Sequence, residues 1–189
     1  MRKLFASDLL PLRQILVATE AFTEPEIDCA MQLLETVLND PAQQDYQVIV
    51  TEYDEVVAGY VLFGPVPLTE GNYDLYWIAT DPELHGKGVG RQLLKEVERR
   101  LRIAGARLLC LETSSQGHYT RTRKFYQQAG YQEESRIGDF YRPGDDRITY
   151  VKRFRTRCCG PQKSEPLAVV QRLWISCGRT HDLGFSARP

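Results

Sequence analysis

The chain has 189 residues, with 24 basic against 25 acidic side chains and a formal net charge of -1. Hydrophobic residues at 42% and charged residues at 26% are ordinary for a globular chain and exclude a disordered or fibrous one. The near-neutral balance leaves no broad basic surface, and no apolar run is long enough to span a bilayer, so neither nucleic acid nor a membrane is expected as a partner.

The N-terminus, Met1-Arg2-Lys3-Leu4-Phe5-Ala6-Ser7-Asp8, lacks the apolar stretch and cleavage site of a secretory signal, which predicts a cytoplasmic protein. Leu9, Leu12 and Leu16, and then Ile27, Met31, Leu34 and Leu38, recur at helical spacing and predict two helices. Thr23 reads as the cap of the second, with Glu26 as its capping-box partner and Pro25 in the first turn. Residues 46–51 and 56–63 are β-rich runs joined by the polar link Tyr53-Asp54-Glu55, a hairpin signal, and alternation resumes over 73–79. From 88 to 104 the positions Val89, Leu93, Leu94, Val97, Leu101 and Ala104 form one stripe, with Arg91, Lys95, Glu98, Arg99 and Arg102 off it. Gly105 ends that helix, and 107–113 reads as a buried strand. Thr122, Phe125, Tyr126 and Ala129 mark a further helix face closed by Gly130. Two last strands, over 131–140 and 147–154, flank a Pro143-Gly144-Asp145-Asp146 turn. The predicted order is αα-βββ-α-β-α-ββ.

Between the third strand and the amphipathic helix stands His85-Gly86-Lys87-Gly88-Val89-Gly90-Arg91. A strand, a glycine-rich turn and a helix N-terminus together form an anion site, because unpaired backbone N–H groups point outward and glycine removes the Cβ from their path. Lys87 and Arg91 occupy a first turn where the helix dipole alone would favour acids, which fits a bound anion. The dinucleotide fingerprint fails, since its third glycine falls on Arg91, and the phosphate loop of nucleotide hydrolases fails because Gly86-Lys87 is followed by Gly88 and not Ser or Thr.

Ile78-Ala79-Thr80-Asp81-Pro82 followed by the turn and Gln92-Leu93-Leu94 resembles the acetyl-CoA motif of the GNAT N-acetyltransferases, written Q/R-x-x-G-x-G/A. Thr122-Arg123-Lys124-Phe125-Tyr126-Gln127-Gln128-Ala129-Gly130-Tyr131 resembles that family's second block. The likeness runs from about residue 8 to 154 and departs at His85, where Gln or Arg is usual, and at the N-terminus, where the family's first strand has only residues 1–5 to occupy. It implies a mixed α/β fold, an acyl-CoA N-acyltransferase sheet that is mostly antiparallel, splayed and flanked by helices. It also implies acetyl-CoA as cosubstrate, contacted by Ile78, Ala79, Thr80, Gly86, Lys87, Gly88, Val89, Gly90 and Arg91, with direct transfer to a primary amine in a ternary complex and no metal.

Acetyl transfer to an amine requires a neutral amine and a proton for the leaving thiolate. Tyr126 matches the tyrosine that serves as proton donor in this family, and the same residue also fits a core role on its apolar helix face. Glu112, at the end of the strand, resembles the glutamate that acts as base, directly or through water, in some relatives. A strand-end residue turned to solvent is the alternative. Glu24, Tyr76 and Tyr141, with Glu26, Tyr73, Asp74, Tyr119 and Asp139, fall on the acceptor side implied by the fold, and their acidic and aromatic character favours a cationic amine, small or peptidic.

The expected domain covers 1–155, and 156–189 is an extension rich in Arg, Gly, Ser, Pro and Cys, flexible or docked. Of the five cysteines, Cys29, Cys110, Cys158, Cys159 and Cys177, none forms a disulfide framework, and with His181 they lack the Cys-x-x-Cys pair of a zinc site. Reduced thiols are expected, and a homodimer is admitted. Two rival readings are a catalytically silent acyl-CoA-binding regulator and a toxin-type acetyltransferase acting on aminoacyl-tRNA, the second disfavoured by the near-neutral charge.

Overall fold

The computed structural model describes residues 1–154, so the expectations for the extension, including Cys158, Cys159, Cys177 and His181, lie outside the described residues. The elements follow in the predicted order: α1 (Leu9–Ala18), α2 (Glu24–Asn39), β1 (Gln47–Tyr53), β2 (Val56–Pro65), β3 (Asn72–Thr80), α3 (Val89–Ile103), β4 (Leu108–Ser114), α4 (Thr120–Gln128), β5 (Gln132–Arg142) and β6 (Asp145–Arg153). The six strands form one mixed sheet in the order β1-β2-β3-β4-β6-β5. All neighbours are antiparallel except β3 and β4.

Strand period 2 sorts the core into two layers. Ile49, Val61 and Phe63 face α3 and α4, where they meet Leu93, Leu94, Val97, Leu101, Tyr126 and Tyr150. Val48, Val50, Tyr60 and Leu62 face the other way, onto Leu12, Leu16, Ile27 and Leu34 of α1 and α2. Because both faces are covered, the middle of β2 reads as an unbroken apolar run.

Local chemistry sets the element ends. Thr23 and Glu26 form the predicted capping box at α2, with Glu26 Oε2 accepting from the Thr23 N–H at 2.7 Å. The β1–β2 link turns on Asp54 and Glu55, both with positive φ, as a tight two-residue hairpin requires. The N-terminal strand is reduced to one bridge, Arg2 to Val50, whose two backbone bonds are 2.9 Å each. Arg2 then reaches the buried Asp8 at 2.6 Å, and the Phe5 N–H donates to the same carboxylate at 2.8 Å. Together these contacts pin the chain start to the edge of the sheet.

Three expectations change. Glu98 is buried, since Lys152 from β6 approaches its Oε1 at 2.7 Å and Arg102 its Oε2 at 3.0 Å, so the carboxylate is paired inside the fold and not solvated. Ala104 is exposed because it caps the end of α3, past the last buried turn. The final hairpin also turns more tightly than expected: β6 begins at Asp145, opposite Arg142, so only Pro143 and Gly144 make the turn.

Candidate active site

The cleft originates in a one-residue slip. Across β2 and β3, Trp77 stands opposite Leu62 and Leu75 opposite Phe63, so Tyr76 is an extra residue, a bulge that increases local twist and bends the strand. Up to that point β3 pairs with β4, from Asn72 opposite Leu108 to Leu75 opposite Leu111. Beyond it the two strands part: β3 continues on β2 alone, and Glu112, Thr113 and Ser114 continue on β6 alone. The β4-facing edge from Tyr76 to Thr80 therefore carries backbone donors and acceptors that no strand satisfies.

The splay opens into a cleft of about 1070 Å³. At one end lies the glycine turn. Asp81 caps a 3₁₀ turn over Pro82–Leu84 by accepting from the Glu83 N–H at 2.9 Å, and the chain then enters α3 through Gly88. Gly86 and Gly88 hold φ of +84° and +85°, and a Cβ at either would meet no protein atom within 4 Å. Packing does not demand glycine there. The left-handed backbone does, and the residue lines the cleft. Val89, Gly90 and Arg91 begin the helix with N–H groups that have no intrahelical acceptor, and the first turn contains no acid. These features suit a pyrophosphate.

Midway, Tyr126 of α4 lines the cleft while being only 4% exposed. Its ring packs against Phe125, Tyr131 and Tyr150 at centroid distances of 5.3, 5.8 and 6.4 Å. Burial pushes its phenol well above the ordinary value, so the hydroxyl stays protonated through the neutral range. Glu112, across the opening on β4, has a side chain 36% exposed and faces Arg147 Nη1 at 3.6 Å.

The opposite end is formed by the α1–α2 connection, the 3₁₀ turn Gly117–Tyr119 and the β5–β6 hairpin. Phe22 and Trp77 pack at 5.5 Å, and Tyr76, Tyr119 and Tyr141 bring three phenols to the wall. Burial, and then the charges of Asp74 and Glu26 respectively, push the Tyr76 and Tyr119 hydroxyls up to about 12. Burial, followed by the charge of Glu112, also raises Tyr141.

Of the residues singled out from the sequence, Ile78, Ala79, Thr80, Gly86, Gly88, Val89, Gly90, Arg91, Glu112, Tyr126, Tyr76 and Tyr141 all line this one cleft. Two do not. Lys87 turns outward and sits over the Tyr53 ring at 5.1 Å, and Glu24 pairs with Arg13 on α1 while Glu26, two residues on, faces the cleft. Sequence reasoning missed Trp77 and Asp145. The Trp77 indole N–H is buried with no partner among the described residues, and Asp145 is buried against Ser114. Neither has a sequence signal, because each depends on where a turn ends or a strand bulges. Among the described residues no group of His, Cys, Asp and Glu is placed to hold a metal ion.

Residues 44–133 match the family model described as an acetyltransferase (GNAT) domain. An uncharacterized N-acetyltransferase of Methanocaldococcus jannaschii is 30% identical over 126 residues, 66% of this chain and 72% of that one. A crystal structure from Desulfovibrio desulfuricans, described as a GNAT-family acetyltransferase, superposes with a TM-score of 0.78 at 41% identity, over 81% of this chain and 96% of that one. The PaiA N-acetyltransferase of Thermoplasma acidophilum, solved with coenzyme A, shares the fold at a TM-score of 0.61 and 21% identity, over 81% of this chain and 97% of that one. With the splayed sheet and the glycine turn already in place, these likenesses establish that the chain belongs to the GNAT family and is an acetyl-CoA-dependent N-acetyltransferase.

Proposed function

We propose that the chain transfers the acetyl group of acetyl-CoA directly to a primary amine, small or at a peptide terminus, in a ternary complex within the cleft. The observation that carries this reading is the parting of β3 from β4 at Tyr76, which joins a phosphate-binding turn at one end to an aromatic, acid-lined opening at the other. Coenzyme A in the PaiA structure supports the cosubstrate, and the left-handed glycines together with the unpaired N–H groups of Val89, Gly90 and Arg91 fit its pyrophosphate. Acetyl-CoA supplies the thioester. The free edge of β3 at Ile78, Ala79 and Thr80 orients it by backbone hydrogen bonds, Glu112 takes the proton of the incoming ammonium, and the Tyr126 hydroxyl faces the departing sulfur.

The acceptor end favours a cation. Glu26, Glu112 and Asp145 reach it from three elements, among phenols that stay neutral. An amine panel of spermidine, lysine, an aminoglycoside and an alanine-led hexapeptide, followed by release of free thiol from acetyl-CoA, tests the reading. Turnover of at least one amine above the hydrolysis background is expected. A chain that binds acetyl-CoA yet acetylates none of the four classes would remove the transfer step.

A further inference from the structure

From the last residue of β4 to the start of α4 runs a short segment, residues 114–119, that grips both acceptor-side loops. On one side it holds the β5–β6 hairpin. Ser114 Oγ donates to Asp145 Oδ1 at 2.5 Å, the Ser115 N–H to the Asp146 carbonyl at 3.0 Å, the Asp146 N–H to Ser115 Oγ at 2.8 Å, and Gln116 Nε2 to the Gly144 carbonyl at 3.0 Å. On the other side the Tyr119 hydroxyl donates to the Ala21 carbonyl, 98 residues away in the α1–α2 connection, at 2.9 Å. Arg123 of α4 locks the segment itself, with Nη1 at 2.8 Å from both the Ser114 and Gln116 carbonyls and Nη2 at 3.0 Å from Thr120 Oγ1.

The two grips are unequal. The hairpin is held by several bonds, whereas the other hydrogen bonds of residues 19–23 stay within α1, α2 and their connection among the described residues. Tyr119 is thus the hydrogen bond that joins this connection to the far wall of the cleft, and the connection carries Phe22 and leads directly into Glu26. The glycine turn is not part of this network.

We propose that Tyr119 is a positioning residue for the acceptor: through Ala21 it fixes the α1–α2 connection against the cleft, and so sets amine binding without entering the acetyl-CoA half. This rests on the transferase reading of the cleft. A phenol pushed up to about 12 remains a donor throughout the working pH range, so the tether does not switch off near neutrality. Held in place, the connection presents Phe22 and Glu26 in one arrangement. Released, it must be reordered each time an amine binds, and that cost appears in the amine KM.

Tyr119→Phe keeps the ring and removes the donor. In the full chain, amides 19–23 should exchange with solvent roughly 3- to 10-fold faster, the factor that one net hydrogen bond supplies, while amides 86–91 keep their rates. With the panel amine that turns over fastest, KM for that amine should rise by the same roughly 3- to 10-fold, with kcat and the acetyl-CoA KM moving less than about twofold. An equal rise in the acetyl-CoA KM would place Tyr119 in the cofactor half and overturn the proposal. Faster exchange at 19–23 with an unchanged amine KM would reduce Tyr119 to a structural tie and overturn it as well. A wild-type chain inert toward the whole panel would count first against the transferase reading and Tyr119 with it, whereas an active wild type with an unaffected variant counts against Tyr119 alone.

Discussion

Tyr126→Phe removes one oxygen from a residue that is 4% exposed and packed on three aromatic rings. Its hydroxyl has no hydrogen-bond partner among the described residues, so its loss breaks no bond in the resting protein. Stability should therefore stay within about 1 kcal/mol, a shift in Tm of no more than roughly 2–4 °C for a chain of this size. General acid catalysis is typically worth about 10²- to 10⁴-fold. Burial decides where in that range the residue falls. An alkyl thiol titrates near 8.5 and a free phenol near 10, and burial raises Tyr126 further, so complete proton transfer to the thiolate is uphill. The hydroxyl then acts mostly by donating a hydrogen bond to the developing negative sulfur, which places the expected fall in kcat near the lower end, about 10²-fold, or about 2.7 kcal/mol at 1.36 kcal/mol per tenfold. Stopped-time thiol release with saturating acetyl-CoA gives kcat, and thermal unfolding gives the control. The same reasoning predicts that no basic limb in the wild-type pH–rate profile below about pH 10 belongs to Tyr126. A variant that loses stability and rate in proportion, or one with unchanged kcat, would refute the assignment.

Three further outcomes are expected. Gly88→Asn introduces a side chain that tolerates left-handed backbone and whose Cβ meets no protein atom within 4 Å, so the fold should survive while acetyl-CoA affinity drops by at least about tenfold; an unaltered thermal shift on adding acetyl-CoA would move the site elsewhere. Glu112→Gln should lower kcat/KM at neutral pH, and the deficit should shrink where the amine is already neutral in solution, because no base is then needed; a deficit independent of pH would assign Glu112 to binding. Asp8→Ala strands the Phe5 N–H and leaves the Arg2 guanidinium with Glu52 and the Lys3 carbonyl alone, and should cost roughly 1–3 kcal/mol at neutral pH. The Arg2 guanidinium and the Phe5 N–H hold the folded Asp8 carboxyl below its unfolded value, so the stabilisation is complete above the ordinary carboxylate range and is lost as pH falls through the folded value. The difference between wild type and variant in urea midpoint should thus narrow on acidification, and a constant difference would disprove the linkage.

Element order and the geometry of the glycine turn were legible because their signals are local. The α3 stripe of Val89, Leu93, Leu94, Val97 and Leu101 follows one helical period, and the turn before it contains glycines at the two positions that need positive φ. The capping box at Thr23 and Glu26 is likewise a four-residue pattern. What escaped the sequence depends on pairing over distance. Glu98 looks like a solvent-facing helix residue until Lys152, 54 positions away, arrives over it. The bulge at Tyr76 depends on β3 slipping against β2, and the choice between Glu24 and Glu26 depends on Arg13 of a neighbouring helix claiming the first. Burial of Asp145 depends on the hairpin closing on Pro143 and Gly144 alone, which puts Asp145 in β6 opposite Arg142 with its carboxylate toward Ser114.

The paired buried carboxylates Asp8 and Glu98 lie at the chain start and on α3, and neither borders the opening. By contrast, the cleft groups Tyr126, Trp77 and the strand edge beyond Tyr76 have hydrogen-bonding capacity that the described residues do not satisfy. Buried polar groups are normally paired, and the Trp77 N–H is an unpaired one that faces the cleft, whereas the Tyr60 hydroxyl and the Asn72 amide oxygen lie away from it. A bulge that costs the sheet several ladder bonds would be a poor structural choice if its only result were an open seam. It becomes consistent once the freed edge of β3 is filled by a ligand with its own amides, which restores the ladder only while the ligand is bound. Tyr126→Phe should accordingly register in kcat and hardly in Tm, and substitutions at Asp8 or Glu98 in the reverse sense.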